Sequence, residues 1–306
     1  MSLPKVLFLM GPTASGKTDL ALQLFDRVDA EIISVDSALI YKEMNIGTAK
    51  PDVQTLHDYP HALVDILDPT ESYSASDFAK DAKVLIDSAH QKGKLPILVG
   101  GTILYFKALA EGLAKLPEAN PELRAEIEAD AAKLGWPAIH ARLSELDPLS
   151  GARLGENDQQ RIQRALEIVL MTGRSIEEFW QQQSVLEHPW DIVPMALMPS
   201  DRAELHRRIE LRFDLMLEQN FQAEVESLRD RGDLNLNLPS MRCVGYRQMW
   251  QYLDGDFDAN EMRMKAIVAT RQLAKRQMTW LRGWQGAVVV DSMDQKLLDK
   301  SLELIA

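Results

Sequence analysis

Cysteine is almost missing from this chain. Cys243 is the only one in 306 residues, which excludes an internal disulfide framework and any cysteine-rich zinc site. Long apolar runs are missing as well. The longest stretch free of charge, the twelve residues between Lys94 and Lys107, is too short to span a bilayer and carries Pro96, Gly100 and Gly101. The start, Met1-Ser2-Leu3-Pro4-Lys5, has no cationic region, and the apolar Val6 to Met10 runs into Gly11-Pro12 rather than a cleavage site. The expected location is therefore the cytoplasm, with no membrane association. His57, His61, His90, His140, His188 and His206 show no metal-ligand spacing. Positive charge is in short supply too: 34 Lys and Arg stand against 46 Asp and Glu, a net charge of −12. That balance argues against non-specific coating of nucleic acid.

What is present is the ordinary mix of a globular protein, 46% apolar and 26% charged, long enough for one large or two modest domains. Val6 to Met10, Glu31 to Val35 and Leu95 to Val99 read as buried strands, with helices over Lys17 to Val28 and Ser74 to Gln91. This alternation predicts a parallel α/β sheet covered on both faces. Ser74 with Asp77 three residues on resembles a capping box. Near Leu116-Pro117 the character changes, and helices alone are expected over Pro121 to Leu134, Pro137 to Leu146, Asp158 to Met171 and Ser175 to Gln183. Asp191 to Met198 then returns as a strand. A long helix over Asp201 to Arg231, helices over Gly245 to Tyr252 and Asn260 to Arg282, and a last strand over Ala287 to Val290 complete the reading. The expected organisation is an α/β core over 1–117 and 187–306, interrupted by an α-helical insertion over 118–186.

Gly11-Pro12-Thr13-Ala14-Ser15-Gly16-Lys17-Thr18 fits the P-loop pattern G-x-x-x-x-G-K-[ST], and it stands directly after a strand and opens a helix. The core is thus expected to be P-loop NTPase-like. Glycines let successive N–H groups wrap around phosphate oxygens, and the helix N-terminus adds partial positive charge. Lys17 would neutralise the distal phosphate and the Thr18 hydroxyl could bind Mg²⁺. A chance match in a chain of this size is expected on the order of 1% of the time. The loop leaves open what the phosphates belong to, and kinases and NTPases share it. Asp36, ending the apolar Ile32-Ile33-Ser34-Val35, could serve as a Walker-B carboxylate, cap a turn, or contact a second substrate.

One segment departs from the acidic average. Between Met262 and Trp284 lie Arg263, Lys265, Arg271, Lys275, Arg276 and Arg282 with no acid among them. This is either a solvated helix face or a footprint for a polyanion.

Several motifs, in order, make the chain resemble the tRNA dimethylallyltransferases, also called tRNA isopentenyltransferases. They are Gly11 to Thr18, Asp36-Ser37-Ala38-Leu39 with Tyr41, Gly47-Thr48-Ala49-Lys50-Pro51, Tyr73-Ser74-Ala75 and Gly100-Gly101-Thr102 with Tyr105. Later come Asp158 to Glu167 with Gln160, Arg161, Ile162, Gln163 and Arg164, then Met241-Arg242-Cys243-Val244-Gly245-Tyr246-Arg247, then Ala269 to Arg282. Pro60-His61-Ala62-Leu63 is a mild departure, since a second His or a Tyr would be expected at Ala62.

The resemblance implies transfer of a five-carbon prenyl group from dimethylallyl diphosphate to N6 of adenosine 37, next to the anticodon of tRNA. It implies that Gly11 to Thr18 hold the leaving diphosphate with Mg²⁺ on Thr18. Asp36 is the expected general base, Thr102 helps to orient the amine, and Arg212 is a candidate for the diphosphate or the target base, or else a surface arginine. Expected tRNA contacts are Asp36 to Leu39, Thr102, Arg124, Gln160 to Arg164, Arg242 to Arg247, Arg271, Lys275, Arg276 and Arg282. The tryptophans are expected to be core or interface residues, and no obligate protein partner is implied. A nucleotide or small-molecule kinase and a non-catalytic RNA-binding ATPase remain as alternatives at this point.

Overall fold

The computed structural model describes residues 3–182 and 186–306; Met1, Ser2 and the expected helix end at Gln183 lie outside the described residues. The chain divides into two compact units, Met1–Ala110 with Glu187–Ala306, and Glu111–Leu186. The first boundary thus falls ahead of the change of character at Leu116-Pro117.

The first half of the larger unit runs β1 (Lys5–Met10), α1 (Lys17–Phe25), β2 (Ala30–Val35), α2 (Val53–Asp58), β3 (His61–Ala62), α3 (Ala75–Gln91), β4 (Leu95–Gly100) and α4 (Ile103–Glu111). The helical unit holds α5 (Pro121–Leu134), α6 (Trp136–Leu146), α7 (Pro148–Arg153), α8 (Gln159–Thr172) and α9 (Ile176–Gln181). The larger unit resumes with β5 (Asp191–Met198), α10 (Arg202–Glu218), α11 (Phe221–Asp230), α12 (Tyr246–Leu253), α13 (Ala259–Arg282), β6 (Val288–Asp291) and α14 (Leu297–Ile305). The short α2, β3 and α7, the terminal α14, and α4 with its strand-like Ile103-Leu-Tyr-Phe start are not foreseen by the periodicity.

All six strands are parallel, in the order β3-β2-β4-β1-β5-β6. Both faces of such a sheet must be covered, and the central strand β1 shows it. Val6, Phe8 and Met10 join Phe78, Ile86 and Phe106 from α3 and α4, while Leu7 and Leu9 join Leu20 and Leu24 from α1. A third core gathers Ile209, Phe213, Phe221, Tyr246 and Met278 from α10 to α13. The capping box at Ser74 forms: its hydroxyl accepts from the Asp77 N–H and the Asp77 carboxylate accepts from the Ser74 N–H, both at 3.1 Å.

Two local rules are bent for visible reasons. Pro194 lies within β5 although proline cannot donate to a ladder; at that position β5 pairs only with β1, because β6 joins from Met195 onward. The expected helix over Asp201 to Arg231 is instead two, because Asn220 adopts φ 70°, a left-handed conformation that stops α10 and re-aims α11.

The helical unit packs Ile127, Ile139, Leu143, Ile162, Leu166 and Val169 into its own core. Glu167 sits among them with no exposed surface. Its carboxylate accepts from Arg124 Nε and Nη2 at 2.9 and 3.0 Å, from Arg164 Nη1 and from the Asn120 N–H at 2.7 Å. Burial alone would raise its pKa, but these charged donors outweigh burial and leave it lowered. Removing the carboxylate would leave two arginines without their counterion. Glu167→Ala should therefore destabilise this unit by roughly 3 kcal/mol, the low end for a broken buried pair because both arginines keep some access to water. Amide exchange in α5 and α8 should accelerate about 10²-fold. The stabilisation from the lowered Glu167 pKa should be fully present above the ordinary glutamate value of about 4.5 and be lost as pH falls below it, since the folded carboxyl titrates lower than the unfolded one.

Candidate active site

The parallel register places Met10 beside Gly100 and Ala196, and Gly100 beside Val35. Strands β1, β2 and β4 therefore end at one level, with β5 running two residues further to Met198, and the loops after them leave the same edge of the sheet. Open α/β sheets bind ligands at this edge.

The loop after β1 is Gly11 to Gly16, with Lys17 opening α1. Ala14 and Gly16 have φ 61° and 84°, which turns the backbone so that the chain enters α1 immediately after Gly16. Gly16 leaves the N–H groups of the first turn without a side-chain cap, open to an anion. Lys17 bends across the loop and donates to the Pro12 carbonyl at 2.6 Å. Burial depresses its pKa to about 7, opposed by Asp36 and reinforced by Arg212. Those three groups thus feel one another's charge. Thr18 is exposed at the start of α1.

Asp36 follows β2. Its Oδ1 accepts from the Ala38 N–H at 2.8 Å and the Leu39 N–H at 3.4 Å, an Asx turn that fixes the carboxylate. Thr102 follows β4, and its hydroxyl oxygen accepts from the Ser37 N–H at 3.0 Å. Arg212 on α10 donates to the Thr48 carbonyl at 3.0 Å; burial lowers its pKa and Asp36 opposes that shift. It faces the site and is no surface arginine.

Two residues that hold the site escape sequence reasoning. Glu224 on α11 accepts from the backbone N–H groups of Asn45, Ile46 and Gly47 at 2.9, 2.7 and 3.1 Å, and from the Tyr246 hydroxyl. This wraps the loop that presents Thr48 to Arg212. Gln277 on α13, 9% exposed, accepts from the Thr13 N–H and donates to the Gly101 carbonyl, both at 2.9 Å. The available signal for Gln277 was a polar residue among Ala274, Met278 and Leu281 on the buried face of a helix.

The candidate RNA-facing residues divide. Ile162 and Tyr246 have no exposed surface and build cores, so their side chains cannot touch a ligand, contrary to expectation. Gly245 is buried beside Tyr246, Val244 is half-buried, and the Cys243 thiol, pushed up to about 12 by burial and then by Asp36, stays protonated. Arg124 and Arg164 direct their guanidinium groups at Glu167, Arg164 also donating to the Pro117 carbonyl at 2.6 Å. Gln163 bonds Glu128, and the exposed Arg161 pairs with Asp158 beside the exposed Gln160. On α13, Arg263 pairs with Asp214 and Glu210, Lys265 with Glu261, and Arg271 with Glu210. Lys275, Arg276 and Arg282 are exposed beyond them, as are Arg242 and Arg247. Among the described residues, the α13 cations without an ion pair thus lie toward its C-terminal end, with Arg282 in the last turn where the helix dipole favours positive charge.

The fold is a P-loop NTPase-like α/β sheet, and the Gly11 to Lys17 segment, Asp36, Thr102 and Arg212 lie toward one edge of it. Residues 39–284 match the model of the IPP transferase family, and the chain belongs to that family. It is a prenyltransferase, which sets the kinase and ATPase alternatives aside. The chain is similar over 99% of its length to a tRNA isopentenylpyrophosphate transferase from Bacillus halodurans, at 36% identity, TM-score 0.71 and 95% of that chain. It is equally similar in fold to a tRNA delta(2)-isopentenylpyrophosphate transferase from Staphylococcus epidermidis, at 30% identity, TM-score 0.71, 99% of this chain and 98% of that one. A eukaryotic dimethylallyltransferase acting on tRNA matches with TM-score 0.80 at 25% identity, over 99% of this chain and 78% of that one. No helix among the described residues is long and apolar enough to cross a membrane.

The depressed Lys17 pKa makes anion binding pH-dependent. Free Lys17 loses its proton as pH rises through about 7, while a bound diphosphate favours the cation. At about pH 8, diphosphate binding should take up a proton at Lys17 and weaken with rising pH. Lys17→Arg, which stays charged, should remove that uptake. Calorimetry of inorganic diphosphate binding in buffers of different ionisation enthalpy checks this, and comparing the two proteins cancels the ligand's own titration.

Proposed function

We propose that this tRNA prenyltransferase moves the dimethylallyl group of dimethylallyl diphosphate to N6 of adenosine 37, beside the anticodon, and releases diphosphate. The observation that carries the reading is the meeting of a phosphate-binding loop with Asp36, Thr102 and Arg212 at one sheet edge. Gly11 to Lys17 receive the diphosphate through backbone N–H groups and the Lys17 ammonium. The donor C–O bond breaks as the N6–carbon bond forms. Negative charge grows on the leaving diphosphate, where Lys17 and Arg212 oppose it. N6, a weak nucleophile, gives up its proton to the Asp36 carboxylate, and the Thr102 hydroxyl orients the amine.

Thr18 offers one hard oxygen beside the phosphate cradle, a donor that suits an Mg²⁺ held mainly by substrate phosphates and water. When bound, Mg²⁺ supplies neutralisation of the leaving diphosphate. The target base must leave its stack to be alkylated, so backbone contacts are needed around it. Arg242, Arg247, Lys275, Arg276 and Arg282 supply exposed positive charge for that task, with the Gln160-Arg161 end of α8 as a further surface. The proposed location is the cytoplasm, where tRNA is modified.

Incubating the protein with tRNA and dimethylallyl diphosphate, then digesting the tRNA for mass spectrometry, tests the reaction; product formed from the diphosphate without ATP is expected. Asp36→Asn keeps size but removes the base, so turnover should fall roughly 10²-fold or more with tRNA affinity changed far less. A variant with normal saturating turnover and altered Mg²⁺ dependence would instead make Asp36 a metal ligand.

For the helix, Lys275→Ala and Arg276→Ala should each lower the salt slope of log K for tRNA by about 0.7 to 0.9. Diphosphate affinity should stay constant. Arg263→Ala, whose charge Asp214 and Glu210 already answer, should leave the slope unchanged. Equal slopes in all three variants would make α13 an ordinary exposed surface.

A further inference from the structure

The Gln277 amide lies between two site loops. Its Oε1 accepts from the Thr13 N–H on the donor loop, and its Nε2 donates to the Gly101 carbonyl, next to Thr102. The two backbone partners fix which way the amide points, because one is a donor and the other an acceptor. A carboxylate could serve only Thr13, an ammonium only Gly101, and an apolar side chain neither. The fit is tight as well as polar: a Cβ on residue 101 would lie 2.4 Å from Gln277 Nε2, so only glycine lets the amide approach. From Gly101 the connection continues to Thr102, whose hydroxyl holds the Ser37 N–H beside Asp36. A single series of contacts thus runs from the donor loop to the candidate base, with Gln277 as its one side chain from α13.

We infer that Gln277 is a positioning residue for prenyl transfer: it sets the spacing between the loop that holds the diphosphate and the turn that presents the acceptor amine, without touching either substrate. This rests on the prenyl-transfer reading above. Reacting atoms must meet within a few tenths of an ångström of their productive geometry, and a displacement of about 1 Å can cost on the order of 10²-fold in rate. A residue that sets spacing between two half-sites affects the step in which both are joined more than the binding of either substrate alone. Lys275 and Arg276 precede Gln277 on the exposed side of the same helix, so the element that carries the free cations also holds this spacing.

Gln277→Met preserves length and helix propensity while removing both bonds; Gln277→Glu retains the acceptor for Thr13 and sets a carboxylate oxygen against the Gly101 carbonyl. In the full chain, kcat for tRNA prenylation should fall roughly 10-fold or more in both variants. The KM for dimethylallyl diphosphate and the Kd for tRNA should stay within about threefold of the parent. Hydrogen exchange at the Thr13 amide should accelerate in Gln277→Met and stay slow in Gln277→Glu. Parental kcat in either variant, or unchanged Thr13 exchange in Gln277→Met, would overturn the inference, as would equal losses in kcat and in tRNA affinity. Failure of the parent protein to prenylate tRNA would overturn the functional reading, while the Thr13 exchange would still show whether Gln277 secures the loop.

Discussion

Everything at the site depends on the backbone ladder that aligns Val35, Gly100, Met10 and Ala196 across neighbouring strands. A slip of one residue would send Phe8 and Leu9 to each other's side, where the close-packed layers of α3 and α4 on one face and α1 on the other fit different side chains. This packing of β1 places Gly11 and the start of the loop that follows. Asp36 and Thr102 inherit their places in the same way from β2 and β4. The sheet brings these loops to one edge, and the long-range contacts of Glu224 and Gln277 then hold the loops at their spacing.

The charges at this edge are arranged so that one acid stands among cations. Asp36 stabilises the charged forms of Lys17 and Arg212, while Lys17 and Arg212 oppose each other. Burial depresses the Lys17 pKa more than Asp36 restores it, and Arg212 adds to the depression. On the proposed reading, an incoming diphosphate would offset both and restore the proton to Lys17.

Strands β1, β2, β4 and β5, the main helices and the P-loop were readable because each rests on local pattern: apolar runs, a cap at Ser74, a proline at the head of α5. Arg212 was suspected but not placed, since its partner is a backbone carbonyl at Thr48 that no spacing reveals. Glu224 and Gln277 were missed because they act on backbone groups far away in sequence, through contacts that exist only after folding. Tyr246 was expected among the tRNA contacts because the resemblance covers its whole motif; its buried ring packs on Phe221. The break at Asn220 likewise followed from one left-handed residue within a continuous helical pattern.

Helix α13 carries its cations in two populations, with those toward its start answered by Glu210, Asp214 and Glu261 and those toward its end facing solvent. The consequence concerns arrival. In a protein of net charge −12, a polyanion is repelled from most of the surface and drawn to the few places where the field reverses. Neutralising the first half of the helix confines that reversal to the half that contains Gln277, so encounters should be guided to the end of α13 nearest the phosphate loop. A uniformly basic helix would gather the same ligand in many registers; on the proposed reading, the ion pairs toward the start of α13 would narrow the landing zone.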